Sequence, residues 1–317
     1  MNTLIQSRFQ KARDGMLGAL IGDALGVPFE FKRGDQIPAE IDMTMPPEFE
    51  KSHSGIPYGT WSDDGAQALC LMESVLRCQK YESDDFCQSL LEWYSNARHQ
   101  SGGKVFDCGL TTAAALRRIR TGLRQEAGDT GDRSNGNGAL MRTIGAVAAG
   151  IALGFSENTI CRIAAEQSRP THGHPKSMVT CAVFAKLALA ASRSEKVDPD
   201  AAIASVRELF LWHPEMLAAL TQLALYRQDM PNGGGYVFNA FWSAILAYQQ
   251  ATSYRAAVVA AIRYGNDTDT TACITGALAG LRWGLPVDQT RDEPCIPKCW
   301  INQVNFPEES RQLLEMS

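Results

Sequence analysis

Apolar residues recur at three- and four-residue spacing through almost all of the 317 residues, and no run alternates apolar and polar between turn signals. That property restricts the chain to packed helices. Residues 8–25 carry the pattern and stop at Gly26-Val27-Pro28. Ser83 is placed as the N-cap of DDFCQSLLEWYSNAR. Thr111 to Thr121 reads as a helix ended by Gly122. Asp198 caps a helix that has Pro199 at its first position, and Ser253 caps YRAAVVAAIRY, which closes at Gly265. Thr270 to Trp283 is the last strong helix, ended by Gly284 with Pro286 beyond. No long repeat or Pro/Ser/Gly linker divides the chain. The expectation is an all-α, compact, single-domain orthogonal bundle of about ten or more helices over residues 1–317. Gly18, Gly22 and Gly26 recur every four residues, so a second backbone is expected to pack closely there. Asp23 interrupts the same apolar stripe and reads as a structural, buried acid that needs partners.

The formal charge of −5 argues against a nucleic-acid coat, although a diphosphate can still be held by backbone N–H groups and metal ions. Nine scattered cysteines sit mostly inside apolar helical patterns, without paired zinc spacing, which suits a reducing cytoplasm. MNTLIQSRFQKARDG lacks the apolar core of a signal peptide. The longest apolar stretch, Met178 to Ala191, is interrupted by Lys186 and is too short to cross a bilayer, so no membrane partner is expected.

Two acidic clusters carry the chemistry. In GTWSDDGAQALCLMESVL, Asp63 and Asp64 precede an amphipathic helix. In RYGNDTDTTACITGALAGLRWG, Asp267, Asp269 and Thr270 lie at another helix start. Taken singly, each is explained by helix capping and the macrodipole. A helix start needs one capping oxygen, however, and each cluster brings two carboxylates and a hydroxyl. If they meet in space, Ser62, Asp63, Asp64, Asp267, Asp269 and Thr270 form a hard oxygen set suited to Mg²⁺ or Mn²⁺. The low His and Cys content nearby disfavours zinc. Gly136-Asn137-Gly138 precedes a helix and permits close ligand approach, but it lacks the G-x-G-x-x-G pattern of a dinucleotide fold. Thr171-His172-Gly173-His174-Pro175 opens a further helix, where one histidine is expected to cap or pack. Asn232-Gly233-Gly234-Gly235-Tyr236 is a third glycine-rich helix entry, with an aromatic face for a base.

LGALIGDALGVPFE, GTWSDDGA, FDCGLTTAAAL, SNGNGALMR, THGHP, NGGGYVFNAFWSAILAY and GNDTDTTACITGALAG, in that order, resemble the ADP-ribosylglycohydrolase family over roughly residues 12 to 286. The resemblance implies an all-α fold with a binuclear Mg²⁺ or Mn²⁺ centre. Ser62, Asp63 and Asp64 match the first ligand cluster, and Asp267, Asp269 and Thr270 the second. Glu30 matches an acid beside the metals and the attacking water, and Asp107 a carboxylate of the arginine-directed members. Asn135, Gly136, Asn137, Gly138 and Met141 match a substrate-lining loop. His172 and Gly233, Gly234, Gly235 and Tyr236 match segments that hold the diphosphate and adenosine of ADP-ribose. Glu30, Asp63, Asp107 and Asp269 are therefore the expected catalytic residues. The family usually writes Thr-Asp-Asp-Thr where this chain has Ser62-Asp63-Asp64-Gly65, which removes one side-chain oxygen.

The implied activity is removal of ADP-ribose from modified proteins, from arginine in the first instance, with ADP-ribose and the ADP-ribosylated protein as partners. An alternative is an immunity protein that neutralises an ADP-ribosyltransferase toxin by binding it, with or without hydrolase activity. The motifs are also compatible with a serine-linked, O-acetyl-ADP-ribose or modified nucleic-acid substrate, and with a structural descendant that has lost its chemistry. The four aspartates weigh against such a descendant.

Overall fold

The computed structural model of the chain describes residues 3–227, 231–286 and 293–316. Among the described residues there are fourteen α-helices and no strand, with three isolated bridges between loops. In order these are α1 (Thr3–Gly26), α2 (Asp63–Cys78), α3 (Ser83–Asn96), α4 (Leu110–Arg120) and α5 (Thr143–Leu153). There follow α6 (Glu157–Glu166), α7 (Pro175–Ser192), α8 (Pro199–Leu209), α9 (Pro214–Tyr226) and α10 (Val237–Gln249). The last are α11 (Tyr254–Ile262), α12 (Thr268–Trp283), α13 (Lys298–Gln303) and α14 (Glu308–Met316). None is long and apolar enough to cross a membrane. One cluster of buried apolar side chains runs from Ala12 to Leu314 and draws on α1 through α14.

The helix boundaries follow the capping chemistry. Asp198 accepts from the amides of Asp200 and Ala201, and Ser253 from that of Ala256, both as the sequence leads one to expect. Ser83 does not cap: Glu82 takes that position without a side-chain bond, and Ser83 is the first helical residue. Thr121 caps the end of α4 and Gly122 follows it at φ 105°, the glycine stop that the sequence leads one to expect. At the other helix entry, α12 begins two residues earlier than the apolar pattern, so Asp269 and Thr270 lie inside its first turn.

The glycine ladder on α1 meets α12. A Cβ added to Gly18 would stand 2.2 Å from the Gly276 carbonyl oxygen, and one on Gly22 would stand 2.2 Å from that of Ala272. α12 answers with glycines of its own, since a Cβ on Gly276 would lie 2.3 Å from the Gly18 oxygen. The two backbones thus pack in direct contact. At the end of the ladder, Gly26 abuts Asp269, where a Cβ would come within 2.4 Å of the Asp269 Cα. This contact places the second acidic cluster beside the end of α1, four residues before Glu30.

Candidate active site

Asp23 settles how the first cluster is used. It is fully buried on α1, and its two carboxylate oxygens each accept one amide, from Ser62 and from Gly65, at 2.8 Å. Ser62 Oγ accepts the Asp64 amide at 3.3 Å. The Ser62, Asp64 and Gly65 amides at the start of α2 are therefore satisfied by side chains other than those of Asp63 and Asp64. Gln67 donates to Asp63 Oδ2 at 2.9 Å, while Asp64 Oδ2 is buried without a partner. Gly65 is also explained: a Cβ there would meet Leu20 Cδ2 at 2.7 Å and Trp61 Cδ1 at 2.9 Å. A threonine at this position requires a different packing of Leu20 and Trp61.

The second cluster shows the same economy. Asp267 occupies the N-cap position of α12 without a side-chain capping bond. Its Oδ2 instead accepts from Asn137 Nδ2 at 2.8 Å. Asp269 Oδ1 accepts its neighbour's amide, from Thr270, at 2.9 Å, and Asp269 Oδ2 is buried without a partner. Ligand oxygens of Glu30, Asp267 and Asp269 lie within 4.8 Å of one another.

The glycine loops join these clusters. Asn137 donates its amide to Gly235 O at 3.0 Å, and Val237 donates to Asn135 O at 2.9 Å, so residues 135–137 and 235–237 form a short antiparallel pairing. Asp267 N donates to Gly233 O at 2.9 Å. His172 is 2% exposed, and its ring lies against Gly138, where a Cβ would be 2.9 Å from His172 Cε1. Burial, with help from the Arg142 charge, lowers its pKa to about 3, so the ring is neutral. His174 caps α7 by accepting the Lys176 amide at 3.1 Å, the capping role expected of one of the two histidines.

A cavity of about 220 Å³ opens between these elements, lined by Glu30, Asp63, Asp64, Asp107, Gly109 to Thr112, Gly136 to Gly138, Met141, His172, Asp267 and Thr270. Burial and neighbouring carboxylates raise the pKa values of Asp63, Asp64 and Asp269 well above the ordinary range. Burial likewise raises Glu30 to about 7, with Asp107 and Asp267 adding to the rise and a hydrogen bond from His53 opposing it. Asp107 is raised by burial and by Asp267. Among the described residues, the ion pair made by these carboxylates is that of Glu30 with His53, at 2.5 Å. Crowded carboxylates with two partnerless buried oxygens are costly unless protonated or matched by a cation. Oxygen donors in this density fit a divalent metal.

Of the residues expected from sequence, Ser62, Asp269, Asn135 and the Gly233–Tyr236 segment do not line the cavity. Ser62 and Asp269 are buried behind it, and Tyr236 packs edge-on to Tyr226 at 5.4 Å. Several functional neighbours carry no sequence signal. His53 reaches Glu30 because Ser52 docks on the turn that follows α1, donating its amide to Pro28 O at 3.0 Å. Arg142 is fully buried and donates to Gln67 at 2.9 Å and to Thr171 Oγ1 at 2.8 Å, where Thr171 Oγ1 in turn meets His172 Nδ1 at 2.9 Å. Asp63, Gln67, Arg142, Thr171 and His172 thus form one hydrogen-bonded chain behind the cavity. Cys273 comes within 4.8 Å of Asp23 and Asp64 ligand atoms, closer than the cysteine spacing indicates. Its thiol is held protonated by burial and by the nearby acids, and it points to Met141 O at 3.8 Å.

The sequence profile of the ADP-ribosylglycohydrolase family matches residues 5–316. The ADP-ribosylarginine hydrolase Tri1 of Serratia proteamaculans (strain 568) is 28% identical over 312 residues, which are 96% of this chain and 78% of that protein. The ADP-ribosyl-[dinitrogen reductase] glycohydrolase of Rhodospirillum rubrum is 24% identical over 310 residues, 94% of this chain and 92% of that protein. A solved structure described as an ADP-ribosylglycohydrolase-related protein complex matches with a TM-score of 0.73 at 26% identity, over 98% of this chain and 97% of that one. With the all-α architecture in common, and with the match running from α1 to α14, the chain belongs to the ADP-ribosylglycohydrolase family.

Proposed function

We propose that the chain is a metal-dependent hydrolase that removes ADP-ribose from arginine side chains of modified proteins. The observation that carries this reading is the convergence on one cavity of carboxylates from four separate segments, with Asp64 and Asp269 each leaving one buried oxygen unpartnered. Ser62, Asp63, Asp64, Asp267, Asp269 and Thr270 would hold a pair of Mg²⁺ or Mn²⁺ ions. Bound there, such ions neutralise the carboxylates and supply Lewis-acid polarisation.

The protein's own groups account for the remaining steps. Glu30, with its pKa near 7, can take a proton from a water attacking the anomeric carbon. The C–N bond to the guanidine breaks through an oxocarbenium-like state as the water oxygen bonds to the anomeric carbon, and the proton taken by Glu30 passes to the departing nitrogen to give the unmodified arginine side chain and ADP-ribose. Asp107, at the cavity wall, anchors the guanidinium leaving group by charge-assisted hydrogen bonds. The 135–141 loop, His172 and the 233–236 loop are assigned to the diphosphate and nucleoside. Neutral His172 offers a hydrogen bond without a charge.

The chain is read as one catalytic domain, 1–317, around a single apolar cluster. Buried thiols at Cys70, Cys87, Cys161, Cys181 and Cys273 suit the cytoplasm. The intact acidic site favours opposing a transferase toxin through hydrolysis rather than through binding alone. The test is release of free ADP-ribose from arginine-linked and serine-linked targets, with Mg²⁺, with Mn²⁺ and after EDTA. Metal-dependent release from the arginine substrate is expected. Full activity in stripped enzyme overturns the metal assignment, and release from serine alone overturns the substrate.

A further inference from the structure

Three rings stand beside Glu30 and Asp107, next to the residues that line the cavity and not among them. The Phe31 and His53 ring centroids are 5.8 Å apart, and those of His53 and Phe106 are 5.3 Å apart. Ligand atoms of Glu30, His53 and Asp107 all lie within 4.8 Å of one another. Phe31 adjoins Glu30 in the chain, and Phe106 adjoins Asp107, so each acid has a ring as its neighbour.

The core does not require this arrangement. Phe31 is 69% exposed and holds φ 62°, and Asp107 holds φ 53°. A bulky residue in the left-handed region is uncommon, and such a phenylalanine beside the acids of a cavity motivates a functional reading. The amide of Phe31 is fixed there by a hydrogen bond to Asn266 O at 2.6 Å. An exposed Phe in a strained conformation gains little from folding, so its ring is available to a ligand.

We propose that Phe31 and Phe106, on either side of His53, form a ring wall that receives the guanidinium of the modified arginine, making Phe31 and Phe106 specificity-determining residues. The proposal rests on the arginine reading above. A guanidinium is planar and weakly hydrated, so it stacks on aromatic faces while its N–H fork pairs with carboxylates. Asp107 supplies the carboxylate, and the phenyl rings supply the faces. A neutral hydroxyl leaving group can use neither the charge nor the faces. A lysine ammonium is compact and strongly hydrated, and it cannot lie flat on a ring. His53 acts through Glu30, holding its Oε2 at 2.5 Å, and is a positioning residue.

The test uses the Mg²⁺-loaded full chain with ADP-ribosylarginine as substrate, and ADP-ribose as a ligand without the leaving group. Leucine preserves apolar bulk without a π face. Phe31→Leu and Phe106→Leu are each expected to raise KM for ADP-ribosylarginine about 3- to 10-fold, in line with a cation–π contact. Phe31→Tyr and Phe106→Tyr are expected to keep wild-type KM, and ADP-ribose affinity should be unchanged in all four. Phe31 is exposed, so Phe31→Leu carries the test even if Phe106→Leu fails to fold. Wild-type KM in Phe31→Leu, or a parallel loss of ADP-ribose affinity, overturns the ring wall while leaving the arginine hydrolase reading intact. Failure of the wild type to cleave ADP-ribosylarginine overturns that reading instead.

Discussion

A carboxylate oxygen buried without a partner costs about 1–3 kcal/mol or drives its group to the neutral form, and Asp64 and Asp269 each hold one. The penalty falls on the metal-free protein in a pH-dependent way. Glu30 and Asp23 are both raised to about 7 by burial, above ordinary unfolded values of roughly 4. An acid whose folded pKa is raised favours the folded state fully below the unfolded pKa. That contribution is lost as pH rises through the folded pKa. Metal-free protein should therefore lose melting temperature between about pH 4 and pH 8, and saturating Mg²⁺ should flatten the curve. Asp64→Asn removes one charge from the crowd, so at pH 8 without metal it is expected to be more stable than wild type by ~1–3 kcal/mol, and to lose the Mg²⁺-dependent rise. Calorimetry at several pH values reads both effects. A wild-type melting temperature that climbs across this range without metal contradicts the assignment. Glu30 has its own test: Glu30→Gln keeps the shape and removes the proposed base, so kcat is expected to fall by roughly 10²–10⁴ with ADP-ribose affinity retained. A near-normal kcat moves the base elsewhere.

Among the helices, the pairing of α1 with α12 fixes where the two clusters meet. Replacing Gly22 by Ala brings roughly 1 kcal/mol of helix propensity. It also sets a Cβ 2.2 Å from the Ala272 oxygen, a backbone atom that cannot rotate away. Overpacking of about 1–3 kcal/mol outweighs that gain, and forcing the helices apart moves Asp269 from Glu30. Gly22→Ala is expected to lower stability in urea and to weaken Mg²⁺ binding together. A stable variant with normal Mg²⁺ affinity refutes close packing as the positioning device. The four-residue glycine spacing made this contact legible in the sequence, although the partner helix was not. The acidic clusters were legible for a related reason: capping needs one oxygen and each cluster offered three. Asp23 shows the limit. Its burial could be read from the apolar stripe, but its role as the cap of α2, some forty residues on, could not. His53, Gln67 and Arg142 were not legible because their functions arise entirely from contacts across the fold. Ser83 was misplaced by one residue because Glu82 ends the extended segment there.

The whole molecule is closed by its C-terminal helix, and a charged network records that closure. Glu73 on α2 accepts hydrogen bonds from Arg98 and lies 3.2 Å from His99 Nε2, while His99 Nδ1 meets Ser310 on α14 at 3.1 Å. The His99 amide donates to Glu309 at 3.2 Å. Burial pushes the Glu73 pKa up, but the His99 and Arg98 bonds outweigh it and hold the group at about 2. The sign here is opposite to that of the cavity acids. A folded pKa below the unfolded value of about 4.3 gives stability that is present above that value and lost as pH falls toward 2. Glu73 is 19% exposed and Arg98 38%, so screening reduces the gain, to about 2 kcal/mol. Glu73→Gln is expected to cost that amount at pH 7 and little at pH 2, measured by chemical denaturation at both values. Because α2 begins at the acidic cluster and ends near this network, the same variant tests whether the molecule behaves as one cooperative unit. If it does, Mg²⁺ should raise the melting temperature of Glu73→Gln by as much as that of wild type, since the metal adds its binding energy to the same folded state. A metal response that vanishes when Glu73 is changed would mean that α14 and α2 set the geometry of the cavity as well as its stability.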